Sequence, residues 1–138
     1  MESSQKAEIE ELTKKLYSRY ENVVFIIDNK GIIVDVWGNL PGTGYTKEYL
    51  TDKLISDFLF TFDQTSCDAK FFKSNENFQE KHGIDLVFLK LNSANNSLQK
   101  KIFTRWTKLN EKMIRGRINW DWTKNKENCV INFWGVPN

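Results

Sequence analysis

One histidine, two cysteines and two prolines among 138 residues leave little room for several kinds of chemistry. With His82 as the sole imidazole, no multi-histidine metal site and no two-histidine acid–base pair exists within the chain. Cys67 and Cys129 form no CxxC pair and predict no disulfide framework. No P-loop, GxGxxG, GxSxG or HExxH motif occurs, so the familiar phosphate, dinucleotide, nucleophile-elbow and zinc-hydrolase signatures are missing. Apolar runs fall well short of the roughly 20 residues that cross a bilayer as a helix. The opening residues lack the apolar stretch of a secretory signal. A cytoplasmic setting and a non-enzymatic role are the resulting expectations.

What is present is enough for a packed domain. Hydrophobic residues make up 40% of the chain and charged ones 28%, with ten Phe and five Trp. That balance excludes the low-hydrophobicity, high-charge composition of disordered chains. Net charge is only +2, but it is unevenly placed. Residues 99–138 hold 9 basic and 3 acidic side chains, against 11 basic and 15 acidic in residues 1–98. Such asymmetry marks either a solvated face or a surface for a polyanion.

Residues 3–21 carry helical periodicity. Ser3 or Ser4 can cap the start, Glu8, Glu10 and Glu11 follow early, and Ile9, Leu12, Leu16 and Tyr20 make one narrow apolar stripe. Two uses fit it equally: a seam with a second chain, or packing back onto its own domain. At Val23 the pattern changes. Val23 to Ile27 and Ile32 to Trp37 are strand-like, and Asp28 to Gly31 makes the turn between them. Gly31 supplies the positive φ such a turn needs.

After the glycine-rich stretch 38–44, Thr46 can cap a short helix through Leu50, and a second helix is expected toward Phe60. Residues 63–77 fit a loop or short helix. Residues 98–115 combine a helical stripe (Leu98, Ile102, Trp106, Leu109, Met113) with strand-like composition. The end is a second hairpin: Arg117 to Thr123 alternates, 124–128 turns, and Cys129 to Trp134 returns. Hairpins at both ends with helices between them predict an antiparallel sheet in which the two hairpins meet.

Phe25 to Val36, with its Asp-x-x-Gly turn, followed by Gly44-Tyr-Thr-Lys-Glu-Tyr-Leu50, resembles the opening of a PAS domain. The Trp120-Asp-Trp122 hairpin and Val130 to Gly135 resemble its last two strands. The resemblance spans roughly residues 22–136 and rests on the order of short motifs. It implies an α+β fold: a PAS-like five-stranded antiparallel sheet with short helices on one face, preceded by an amphipathic N-terminal helix. Domain limits would be 1–22 for the helix and 23–138 for the sheet domain. It also favours a strand over 101–109 and a helix around 78–91. The chain departs from the family at Trp37, where Asn is frequent, and in lacking the Asp-Ile-Thr that commonly ends the last strand.

Function follows as expectation. The resemblance implies a sensory or regulatory module in signal transduction that binds a small ligand or a signalling partner. A homodimer would form through Ile9, Leu12, Leu16 and Tyr20. Pocket candidates are Trp37, Tyr45, Phe58, Phe62, Phe88, Trp106, Trp122 and Phe133, unless these rings simply fill the core. His82 occupies the place of a proximal haem ligand in haem-binding relatives, although Glu80, Lys81 and Asp85 crowd it with charge; otherwise no metal or cofactor is implied. Cys67 lacks the flanking Asn and Arg of flavin-binding relatives and reads as structural. The alternative function is a nucleic-acid or polyanion binder using Lys100, Lys101, Arg105, Lys108, Lys112, Arg115 and Arg117, with Trp106 and Trp120 as stacking faces.

Overall fold

The structure is a computed structural model and describes residues 3–16, 22–38, 43–61, 63, 65–74, 87–90, 108–110 and 113–135. Helix α1 (Ser3–Leu16) precedes strands β1 (Val23–Asp28) and β2 (Ile33–Gly38). Helix α2 (Lys47–Leu50), a 3-10 turn at Ile55–Asp57, strand β3 (Leu59–Thr61) and helix α3 (Ala69–Ser74) follow. Strands β4 (Val87–Lys90), β5 (Lys108–Asn110), β6 (Met113–Trp122) and β7 (Asn128–Gly135) complete the chain. All seven strands share one sheet in the order β2-β1-β7-β6-β4-β3, with β5 also paired to β6.

The two terminal hairpins do meet. β1 lies antiparallel between β2 and β7, in register from Val23 opposite Phe133 to Asp28 opposite Asn128. β6 pairs with β7 from Gly116–Gly135 to Trp122–Cys129. This is the α+β arrangement that the sequence implied: an antiparallel sheet, short helices between its hairpins, and a helix in front.

Local chemistry accounts for the elements. Asp28 Oδ1 accepts hydrogen bonds from the Lys30 and Ile32 amides at 2.9 and 3.0 Å, closing the β1–β2 turn, and Gly31 has φ +88°. Thr46 caps α2 by accepting from the Tyr49 amide at 3.1 Å. β1 is buried along Val23–Ile27 because both faces of the sheet are covered there. β6 instead alternates buried and half-buried positions along its whole length, the signature of one covered face.

Three expectations need correction. The helix expected around 78–91 gives way, over Val87–Lys90, to strand β4; its cross-strand partners in β3 and β6 outweigh the helical spacing. Leu59–Thr61 is a strand paired with β4, where a helix had been expected to run toward Phe60. Together with β4 it makes the sheet seven-stranded among the described residues, not five-stranded. Of the strand expected over 101–109, Lys108 and Leu109 lie in β5 and the remainder falls outside the described residues.

Candidate functional site: the two faces of the sheet

Because directly opposed residues in antiparallel strands point to the same side, the registers sort side chains into rows. On the inner face one row is Val36, Phe25, Ile131 and Trp120; beside it run Val23, Phe133 and Ile118, and then Ile33, Ile27, Cys129 and Trp122. All belong to one buried cluster that also takes in Tyr45, Leu50, Ile55, Phe58, Leu59, Cys67, Phe72, Leu89 and Ile114. Phe133 crosses the sheet so closely that a Cβ on Gly116 would sit 2.4 Å from its ring.

Helix α3 is fastened to this face by an uncommon contact. The indole N–H groups of Trp120 and Trp122, two residues apart on β6, both donate to the Phe72 carbonyl oxygen at 3.0 Å. Both lone pairs of one helix-end carbonyl are thereby satisfied in the core. The Phe72 ring meets Trp120 edge-on at 5.2 Å between centroids, and Phe71 lies 5.6 Å from the same indole. At the other end Tyr45 packs edge-on to Phe58 at 5.2 Å and stacks on Tyr49 at 5.5 Å.

Of the pocket candidates, Tyr45, Phe58, Trp122 and Phe133 thus come together on the inner face, packed ring against ring. Trp37 does not join them. It stands opposite Val24, on the other side of the sheet, where it is 37% exposed and its indole donates to Asp35 Oδ2 at 2.8 Å. Phe88 is in β4 in register with Arg115, and its side chain lies outside the described residues, as do Phe62 and Trp106. His82 and the segment around it also lie outside them.

The outer face is built differently. Its apolar part is a strip of Val24, Ile26 and Val130, with Val34 alongside, and Ile9 of α1 is buried on it with Leu12 at the margin. The helix stripe is therefore seated on its own sheet, which is the intramolecular use of the two weighed above; the Leu16 side chain and Tyr20 lie outside the described residues. Polar contacts hold the start of α1. Glu8 accepts from the Lys124 amide at 3.0 Å, and Gln5 bonds both Asn125 and Asn128 across the β6–β7 turn.

The row to which Val24 belongs turns polar on β7 and β6, which the sequence reading missed: Asn132 lies opposite Val24 and Asn119 opposite Asn132, with Asn22 just ahead of β1. Asn22 and Asn132 are buried, and Asn22 Nδ2 donates to Asn132 Oδ1 at 2.9 Å. The Oδ1 atoms of Asn22 and Asn119 are buried without a hydrogen-bond partner. An Asn inside the otherwise apolar Cys129-Val-Ile-Asn-Phe133 run was the signal available.

Among the described residues, burial dominates the electrostatics of the inner face. Burial pushes the Cys67 thiol up to about 12, with Asp68 and Asp63 adding to it, and raises the Cys129 thiol and Tyr45 phenol as well. These groups are held neutral. At the sheet edge burial acts to raise the Asp35 carboxyl, but Lys47 at 2.7 Å, the Trp37 indole and the Val36 amide outweigh it and keep Asp35 below the usual carboxylate range. Among the described residues no group of three or more His, Cys, Asp or Glu could hold a metal ion. No described helix is long and apolar enough to cross a membrane. Of the basic polyanion set, Arg115 and Arg117 have described side chains; both are half-buried positions of β6, each with interaction partners.

No family model and no curated protein sequence matches the chain. Among solved structures it is similar to the PAS domain of an HTR-like protein from Haloarcula marismortui, with a TM-score of 0.49 and 11% identity over 98% of this chain and 100% of that one.

Proposed function

We propose that the chain is a sensory or regulatory module of the PAS type that works without catalysis. A small ligand or a signalling partner changes the packing of the inner face, and the change reaches α1 through the sheet. One observation carries this reading: β1 and β7 are the floor of the aromatic cluster on one side and the seat of Ile9 on the other. Phe25 and Ile26, or Val130 and Ile131, are chain neighbours pointing to opposite faces, so a shift of either strand is felt at both. Coupling of this kind requires the effector to bind two arrangements with different free energies.

Pairing of two copies through α1 is the output. Native mass spectrometry of freshly purified protein tests the whole reading at once, because it reports bound small molecules and subunit number together. A dimer whose proportion changes when a bound molecule is removed is the expected result. A bare monomer at every concentration, unaffected by any added extract fraction, would overturn it.

A further inference from the structure

Strand β2 is an edge of the sheet, and its outer side is closed for only part of its length. At its start Ile33 donates to the Lys53 carbonyl and accepts from the Asp52 amide, both at 2.8 Å. Among the described residues nothing pairs with the outer side of residues 34–38. An open edge is a template for a further strand. Here side chains hold it shut. Asp35 Oδ1 accepts from the Val36 amide at 2.9 Å and meets Lys47 Nζ at 2.7 Å, while Oδ2 accepts from the Trp37 indole. Lys47 belongs to α2, so this ion pair ties α2 to β2. Both partners stay partly exposed, and an incoming group can reach them.

The surroundings single out the same edge. Trp37, Tyr49 and Leu54 are the large hydrophobic side chains left exposed among the described residues, at 37%, 48% and 45%. All three lie on β2 or on the segment beside it, and apolar side chains gathered in one place mark an interaction surface. The charge there is acidic: residues 33–38 and 46–57 hold Asp35, Glu48, Asp52 and Asp57 against Lys47 and Lys53. Lys53 is engaged already, 4.2 Å from the Tyr49 ring centroid. We propose that β2 takes up an extended basic segment of another protein as an additional strand, with an arginine or lysine opposite Asp35 and an apolar side chain opposite Trp37. In that register the cation pairs with the Asp35 carboxylate and draws it off the Val36 amide, which then donates to the incoming backbone. A strand without the cation leaves Asp35 on that amide and the edge closed, so charge selects the partner. Asp35 and Trp37 belong to neither buried cluster, and this surface is independent of the inner face and of α1.

The test follows dye-labelled peptides, blocked at both ends, by fluorescence anisotropy. The probe Ser-Thr-Ile-Thr-Arg-Thr-Ser, run antiparallel to β2, sets Arg opposite Asp35, the central Thr opposite Val36 and Ile opposite Trp37. It is expected to bind about ten-fold more tightly than the same peptide with Glu for Arg, or with the central Thr N-methylated so that it cannot join the ladder. Asp35→Ala should abolish the preference for Arg over Glu, and Trp37→Ala should weaken the Arg peptide. Both side chains lie outside the buried clusters, and the urea midpoint checks that each variant is folded. Equal binding of all three peptides, or no binding of any at millimolar concentration, would overturn the proposal. A mass of the chain alone that rises with concentration and falls back in Trp37→Ala would assign the edge to a second copy and overturn it too.

Discussion

The two faces of one sheet are held by different means. Inside, Phe25, Phe72, Phe133, Trp120 and Trp122 interlock, and even the carbonyl at the end of α3 is consumed by two indoles. Outside, Val24, Ile26 and Val130 carry Ile9, and the row of Val24 continues into Asn132 and Asn119. The inner face is a dense cluster of interlocking rings; the outer face carries a smaller apolar cluster under α1. Apolar area decides which contact survives a perturbation, and among the described residues the outer face has less of it than the inner.

The sharpest way to break this contrast is to empty the inner face. Phe133→Ala removes the ring lying over Gly116 and should lower stability by about 3–5 kcal/mol, read as a fall in the urea midpoint with loss of near-ultraviolet tryptophan signal. Ile9→Ala is expected to cost less, about 2 kcal/mol, and to act locally. Amide exchange should accelerate throughout α1 while β1, β6 and β7 stay protected. Equal loss of protection on both faces would show that the two are not separable.

Asn119→Leu sharpens the comparison from the other side. It removes an acceptor buried without a partner, and should leave stability unchanged or raise it by up to about 1 kcal/mol. A loss of stability would mean that the Asn119 amide makes contacts in the fold that leucine cannot replace. The smallest effect belongs to the sheet edge. Asp35 has a folded pKa held below its unfolded value, so its contribution is present above the ordinary aspartate range and fades as pH falls through the folded pKa. Wild type should therefore exceed Asp35→Asn slightly near neutrality, and the two urea midpoints should converge below about pH 4.

Much of the fold was legible beforehand because it is local. The turn at Asp28 and Gly31, the Thr46 cap and the alternation from Arg117 to Trp122 each follow from a few neighbouring residues and their backbone demands. The meeting of the two hairpins was also legible, since each carries an apolar face that must be buried. The site was less so. Tyr45, Phe58, Trp122 and Phe133, named for their aromatic character, lie together in the buried inner cluster, whereas Trp37 lies on the other side of the sheet, because composition does not reveal which side of a strand faces the core. Phe72 went unnoticed, for nothing local says that its carbonyl will meet two indoles 48 and 50 residues away.

By itself, then, the sequence determined the hairpins, their turns, the amphipathic stripe of α1 and the α+β class, all of which depend on short-range periodicity and on φ preferences. Only tertiary structure decided that Val87–Lys90 is a strand, that Leu59–Thr61 joins the sheet, and that Ile9 rests on Val24, Ile26 and Val130. Those outcomes depend on partners far apart in the chain. A short apolar run or a narrow stripe is compatible with several partners, and the free energy separating them resides in contacts that no local pattern encodes.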